Sequence, residues 1–158
     1  MFRNIRKKKN EISIENCKEL LKKNKRGVLS LIGDEGYPYS FPINFYYEEK
    51  ENKIYFHSSK KGYKIESIKN ENKSCFVTYD EGTISEDGWS YYISSCITFG
   101  KIDMIYDEKI ALEKIRTFAS KYYPNKEDIN DAIERSFKAV QIFSLKIEHM
   151  SGKRVQEK

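Results

Sequence analysis

The chain has 158 residues, a net charge of +5 and 39% hydrophobic residues. This length fits one domain of ordinary size, and an aromatic content of 14% is too high for a disordered chain. No apolar run approaches the roughly 20 residues that a membrane-spanning helix needs, and residues 1–10 lack the apolar stretch of a secretory signal. We therefore expect a single folded domain over residues 1–158, located in the cytoplasm and without a membrane partner.

The positive charge is concentrated in one part of the chain. Residues 1–26 contain 10 Lys and Arg against 3 acidic residues, whereas residues 27–158 contain 19 against 21. The basic character belongs to an N-terminal segment over residues 1–26, so the sequence argues against nucleic-acid binding by residues 27–158. The three cysteines, Cys17, Cys75 and Cys96, are far apart and form no C-x-x-C pair, which predicts reduced thiols and no metal site.

The first element predicted from the pattern is a helix. Ser13 is placed to cap a helix running to about Lys25, and Gly27 is predicted as its left-handed stop. Its lysines are expected to face solvent, so reversing the charges of Lys22 and Lys23 should change neither stability nor cofactor binding appreciably. The apolar face of this helix is predicted to consist of Ile14, Cys17, Leu20 and Leu21.

Strands dominate the rest of the chain. Residues 28–32 and 37–47 read as a hairpin around a turn at 34–36, and Pro38 and Pro42 indicate an edge strand or a bulge. The later elements follow from the same periodicities: strand 53–57, helix 63–69, strand 74–79, polar loop 80–88, β stretch 89–105 with a bend or bulge at Gly100, helix 107–123, helix 127–138, strand 139–147 and a polar tail from Ser151. The helix at 107–123 is predicted to turn one apolar face inward, formed by Ile110, Ala111, Ile115, Phe118, Ala119 and Tyr122. This order lacks the regular βα alternation of a parallel sheet and predicts an antiparallel barrel with outer helices.

One segment carries chemistry that an anion could use. A strand ending at His57 leads through Ser58, Ser59 and Gly62 to the start of a helix that contains Lys64. Hydroxyls, free backbone N–H groups at a helix N-terminus and a lysine in one small volume suit a phosphate. By itself the pattern is also that of an ordinary solvated loop.

His57 has two interpretations as well, as a packing residue at a strand end or as a group near a reaction. The sequence contains only one other histidine, His149, and none of the motifs G-x-S-x-G, G-x-x-x-x-G-K-[ST], H-E-x-x-H or G-x-G-x-x-G. An enzyme without an evident set of catalytic side chains is best explained by a bound cofactor that performs the chemistry.

Several segments in order resemble one family. They are RKKKNEI (6–12), GVLS (27–30), GYPYSFPINF (36–45), IYFHSS (54–59) followed by Gly62 and Lys64, SCITFGK (95–101) and IEHMSGK (147–153). Together they resemble the nitroimidazole-resistance branch of the pyridoxamine 5'-phosphate oxidase-like flavoproteins. Tyr63 and Lys64 differ from the Arg-Lys pair of true pyridoxamine phosphate oxidases, so the resemblance does not point to pyridoxine metabolism.

This resemblance implies a six-stranded, FMN-binding split barrel of the α+β class that is mainly β, usually a homodimer with flavins between the subunits. Ser58, Ser59 and Lys64 would hold the FMN phosphate, and Gly62 would let the backbone approach it. His57 would lie near the flavin or the substrate. The remaining positions implied to contact the cofactor are Ile43, Asn44, Phe45 and, from a later strand, Ser95.

The implied activity is an FMN-dependent, nitroreductase-like oxidoreductase that reduces a small electron-poor acceptor such as a nitroaromatic, with an unknown electron donor. Two alternatives remain. A protein of the same fold could bind or degrade haem, with His57 or His149 as the iron ligand. A barrel with exposed aromatic side chains could also bind single-stranded nucleic acid through the basic segment.

Overall fold

A computed structural model describes residues 1–157, and within them eight β-strands form one antiparallel sheet. The strands are β1 (Arg26–Ile32), β2 (Pro38–Asn44), β3 (Tyr46–Glu48), β4 (Lys53–Ser59), β5 (Lys73–Tyr79), β6 (Thr83–Ile84), β7 (Tyr91–Ile105) and β8 (Val140–Glu157). The helices are α1 (Ile14–Lys23), α2 (Tyr63–Asn70), α3 (Glu108–Ser120) and α4 (Lys126–Ser136), with 3₁₀ turns at Lys8–Asn10, Asp34–Gly36 and Phe137–Ala139. The predicted mainly β fold class is confirmed. The sheet has more than six strands because β3 and β6 are short additions.

Strand order explains why the sheet rolls up. The sheet runs β2-β1-β5-β7-β8-β4-β3, with β6 beside the start of β7. Its two ends, β2 and β3, are separated in the chain only by Phe45. Consecutive Cα atoms are about 3.8 Å apart, so both ends of the sheet must meet at this residue. The predicted edge position of Pro38 and Pro42 is confirmed, because β2 is the end strand of the sheet.

The barrel is nevertheless open on one side. β3 pairs with β4 only as far as Tyr55, while β4 continues to Ser59 beside β8. Residues 56–59 of β4 therefore have no strand on their other side, and β2 likewise has only β1 as a neighbour. We call the opening between β2 and this part of β4 the gap.

The barrel interior is filled by aromatic and aliphatic side chains. Phe45 and Phe56 each pack edge-on against Phe76, with ring centroids 4.7 and 5.4 Å apart, and Phe143 stacks on Phe56. All four rings are fully buried. The predicted bulge at Gly100 is confirmed, since the pairing of β7 with β8 shifts register between Phe99 and Gly100.

The first helix lies against one end of the barrel. Ser13 caps α1 as predicted, its Oγ accepting the backbone N–H of Asn16, and Cys17, Leu20 and Leu21 are buried. Ile14 was predicted on this apolar face but is exposed, because it begins the helix at its outer edge. The predicted helix stop at Gly27 is wrong: the helix ends at Lys23 with Asn24 as its C-cap, and Gly27 lies in β1. Glycine is needed there because a Cβ would collide with the ring of Phe76.

Helices α3 and α4 pack together outside the sheet. Asp107 caps α3, its Oδ1 accepting the N–H of Ile110, and Ala111 of α3 packs with Tyr55 of β4 and Ile142 of β8. Ile110 was predicted on the inward face but is exposed. The helix ends earlier than expected, at Ser120, so Lys121 and Tyr122 follow it as a short extension.

The last strand is longer than the sequence indicates. Residues from Ser151 were predicted to be a polar tail, yet β8 continues through Glu157 because its second half pairs with residues 91–99 of β7. The N-terminal segment packs against this part of β8, since the N–H of Ile12 donates to the carbonyl of Gly152. None of the helices within residues 1–157 has the length and apolar character needed to cross a membrane.

Candidate functional site

Most of the site residues predicted from the sequence lie around the gap. At one end, the Nζ atom of Lys64 lies 4.2 Å from the ring centroid of Phe41, so α2 reaches across to β2. At the other end, Asn44 of β2 and His57 of β4 line the same cavity. The two open strand edges thus face a common space with chemically different ends.

The loop over residues 58–64 has the features of an anion site. Gly62 has φ +112°, a conformation that side-chain-bearing residues rarely adopt, and the space that its Cβ would occupy is empty of neighbours. Among the described residues, no hydrogen bond engages the N–H groups of Tyr63 or Lys64, the first two residues of α2. Free N–H groups at a helix N-terminus favour negative charge.

The two serine hydroxyls in this loop are oriented by the backbone. Ser58 Oγ donates to the carbonyl of Ser59 at 3.0 Å, and Ser59 Oγ donates to the carbonyl of Lys61 at 2.8 Å. Each hydroxyl can turn toward a ligand by giving up a single bond to an exposed carbonyl. The loop can therefore present two O–H donors besides its free N–H groups.

Lys64 adds a positive charge without a counter-ion. No carboxylate within residues 1–157 pairs with its ammonium group, and burial of the side chain lowers its pKa. The exposed lysine Lys22, by contrast, is paired with two glutamates. A partly desolvated ammonium without a carboxylate partner, carried on the same helical turn as free N–H groups, can stabilise a bound anion.

The opposite end of the gap is apolar. His57 meets the ring of Phe118 edge-on, with centroids 4.8 Å apart, and both line a cavity of about 390 Å³ between the sheet and helices α3 and α4. Burial, and to a smaller extent the charge of Lys64, lowers the pKa of His57, so its ring is neutral at pH 7. Asn44, Tyr122, Ile133 and Phe137 are among the other residues that line this cavity. All of these side chains are uncharged.

The remaining predicted site residues do not line this cavity. Ile43 is half-buried and packs against the barrel core, and the fully buried ring of Phe45 belongs to that core. Ser95 pairs with Lys153 on β8, whereas Ser58 pairs with Gln141 of the same strand. Ser58 and Ser95 thus lie against opposite halves of β8, so one chain does not bring them together.

The structure also identifies residues that the sequence analysis missed. Tyr122 Oη accepts the N–H of Phe45 at 2.9 Å and lies 2.6 Å from the carbonyl oxygens of Phe45 and Lys25. Lys121 Nζ donates to the carbonyls of Asn24 and, at 3.3 Å, Phe45, and burial lowers its pKa to about 8. Helical periodicity placed Tyr122 on an inward face, but no local pattern indicated these partners.

Solved structures share this architecture. A candidate 5-nitroimidazole antibiotic resistance protein from Bacteroides thetaiotaomicron superposes with a TM-score of 0.78 at 20% identity, over 92% of this chain and 87% of that one. A FAD-binding protein from Mesorhizobium loti gives 0.70 at 20% identity, over 92% and 96%. A FAD- and haem-binding protein from Mycobacterium smegmatis gives 0.70 at 18% identity, over 89% and 70%. At these identities the likeness establishes the fold.

Sequence comparison gives the family. No curated protein matches the chain significantly. The family model described as pyridoxamine 5'-phosphate oxidase matches residues 13–154, which span the sheet from β1 through most of β8 together with all four helices. The chain therefore belongs to the pyridoxamine 5'-phosphate oxidase family.

Proposed function

We propose that the protein binds FMN in the gap and acts as an oxidoreductase that reduces a small electron-poor acceptor such as a nitroimidazole. The observation that carries this proposal is the polarity of the gap. One end has an unpaired lysine and free N–H groups, and the other is an uncharged cavity containing a neutral histidine. FMN has the same division between an anionic phosphate and a flat aromatic ring.

The phosphate would be held by the 58–64 loop. Ser58, Ser59 and Lys64 supply donors, and the N–H groups of Tyr63 and Lys64 point out of the first turn of α2. Gly62 keeps the approach to these groups clear, since nothing lies within 4 Å of its Cβ position. This donor set satisfies the rule that a buried phosphate needs several hydrogen bonds and a compensating charge.

Bound flavin would supply the transfer of electrons or hydride to the acceptor. The protein's own residues would position that acceptor and exclude water from it. Asn44 and His57 are polar groups in a mainly apolar cavity, so they can orient an uncharged substrate through hydrogen bonds. Phe118 packs against His57 in an edge-to-face contact, and burial of the His57 side chain lowers its pKa and so favours the neutral ring.

A second copy of the chain would complete the site. The side chains of Val28, Val77 and Ile97 align across β1, β5 and β7 on one face of the sheet, where they are only half-buried. Ser95 lies on this same face, two residues before Ile97. A homodimer formed through this face would bury more than about 1,000 Å² and would take Ser95 to the partner's flavin.

The phosphate end is tested by comparing FMN with riboflavin, which lacks the phosphate. Lys64→Ala removes one charge-assisted hydrogen bond, a loss of about 1.5 to 3 kcal/mol, so FMN should bind roughly ten- to a hundredfold more weakly. Riboflavin affinity should stay unchanged. Lys69→Ala, which removes an exposed lysine from the last turn of the same helix, is the matched control. Equal losses for both ligands would show that Lys64 acts through packing and would contradict the phosphate assignment.

An absorption spectrum of the purified protein distinguishes flavin from haem. We expect flavin bands in the blue and near ultraviolet; a Soret band would favour the haem alternative. Retention on single-stranded DNA that is lost on deleting residues 1–26, with no flavin bound, would favour the nucleic-acid alternative. Light scattering should give twice 18.7 kDa, and a monomer with flavin fully bound would contradict the dimer.

A further inference from the structure

A second charged recess lies at the far end of β8 from the gap. It has a volume of about 670 Å³ and is lined by Lys7, Lys9, Asn10, Tyr92, Arg154 and Gln156. Three of these side chains are cationic, two are amides and one is aromatic, and none is a carboxylate. The volume is in the range of pockets that bind small organic ligands, and it exceeds that needed for a simple ion.

Arg154 is the organising residue of this recess. Its guanidinium carbon lies over the Tyr92 ring, 4.8 Å from the ring centroid, a cation–π contact that helps to hold the planar group in place. A guanidinium has five N–H donors, so this contact leaves donors for a ligand. No carboxylate within the described chain forms an ion pair with Arg154.

The absence of counter-ions in this recess differs from the pattern elsewhere on the surface. Lys8 pairs with Glu11, Lys101 with Glu148 and Lys114 with Glu51. Lys7, Lys9 and Arg154, in contrast, line one recess, and none of the residues 1–157 contributes a carboxylate to its lining. Like charges brought together in this way repel each other, and a bound anion would relieve that repulsion.

The recess is also built from ordered elements. Lys7 and Lys9 belong to a segment that is docked on β8, since Ile5 is buried and the N–H of Ile12 donates to Gly152. On the opposite wall, Gln156 Nε2 donates to the hydroxyls of two buried serines, Ser85 and Ser90, at 2.9 and 3.0 Å. The cationic groups are therefore held around the recess and do not hang from a free tail.

We propose that this recess is a second anion site, which binds a phosphate-bearing small molecule of nucleotide size. Arg154 would bind a phosphate group through two parallel N–H donors, and Lys7 and Lys9 would neutralise a second negative charge. The site uses none of the residues assigned to flavin binding and does not depend on that assignment.

ADP is a suitable probe, titrated calorimetrically into protein saturated with FMN at low ionic strength. Arg154→Gln should weaken ADP binding about ten- to a hundredfold, because it removes a bidentate charged contact. Lys153→Gln is the matched control: it removes one positive charge from the neighbouring position, on the opposite face of β8. That variant should change affinity less than about threefold. Both residues are exposed, so thermal unfolding should confirm that both variants fold.

Ligand variation identifies the group that is recognised. Pyrophosphate should compete with ADP, and adenosine should not. The proposal is overturned if ADP and pyrophosphate do not bind at millimolar concentration, if Lys153→Gln weakens binding as much as Arg154→Gln, or if Lys64→Ala abolishes ADP binding. Much tighter binding of single-stranded DNA, lost in Arg154→Gln, would also overturn it in favour of a nucleic-acid surface.

Discussion

Two chain segments border the gap and differ in how their backbone is satisfied. At Phe45, where β2 passes into β3, the N–H donates to Tyr122, and the carbonyl accepts from Lys121. In the 58–64 loop, the N–H groups of Tyr63 and Lys64 have no partner in residues 1–157. Both segments interrupt strands, yet only at Phe45 do side chains of the protein supply hydrogen-bond partners for the backbone groups that the interruption leaves unpaired.

This difference distinguishes backbone groups that the fold itself satisfies from donors that remain available to a ligand. Buried backbone groups are almost always paired, so the contacts of Lys121 and Tyr122 are what the fold requires at a break between strands. Unpaired donors beside open space, together with an unpaired lysine, are what a ligand requires. Phe45 is therefore assigned to the core, and the 58–64 loop is the better candidate for cofactor binding.

The largest effect is expected at Phe45. Phe45→Ala removes a fully buried ring and should lower the free energy of unfolding by about 3 to 5 kcal/mol, as measured by urea denaturation. Phe45→Leu keeps most of the buried volume and should fold with near-normal FMN affinity. A folded Phe45→Leu protein with strongly weakened FMN binding would mean that this ring contacts the cofactor and that the distinction between the two segments fails.

A smaller effect is expected at Gly62. Gly62→Ala forces a side-chain-bearing residue into φ +112°, which costs about 1 to 3 kcal/mol of stability, and should also weaken FMN binding by disturbing the loop. Gly88→Ala is the control, because Gly88 also has a positive φ and open space at its Cβ position but lies in the turn before β7. If both variants lose FMN affinity equally, the effect of Gly62 is not local to the site.

The smallest effects concern α1, whose lysines were expected to face solvent. Lys22 is exposed as expected, and it also bonds to Glu49 at 2.8 Å and to Glu19 at 3.0 Å; the bond to Lys22 is the main cause that lowers the pKa of Glu49. Lys23→Glu should stay within about 0.5 kcal/mol of wild type in thermal unfolding. Lys22→Glu should be measurably less stable, since it sets a negative charge against Glu49. Loss of flavin in either variant would contradict the separation of this segment from the site.

Local patterns were sufficient wherever a residue's role depends on its neighbours in the chain. The strand at 53–57, which the structure extends to Ser59, the short helix after Gly62 and the bulge at Gly100 follow from periodicity and from glycine, whose effects act over a few residues. The sequence likewise placed Ser58, Ser59 and Lys64 around one strand-to-helix turn. It could not show that Phe41 lies beneath Lys64, because that contact joins two separate elements.

Tertiary structure decided the features that depend on distant partners. Gly27 lies in a strand because it pairs with Ile43 of β2, and residues 151–157 are extended because β7 pairs with them. The hydrogen bond of the Phe45 N–H to Tyr122 and the contact of His57 with Phe118 likewise join residues more than 50 positions apart along the chain. Periodicity describes one element at a time, whereas hydrogen-bond satisfaction, burial and pKa are set by what the completed fold places against each residue.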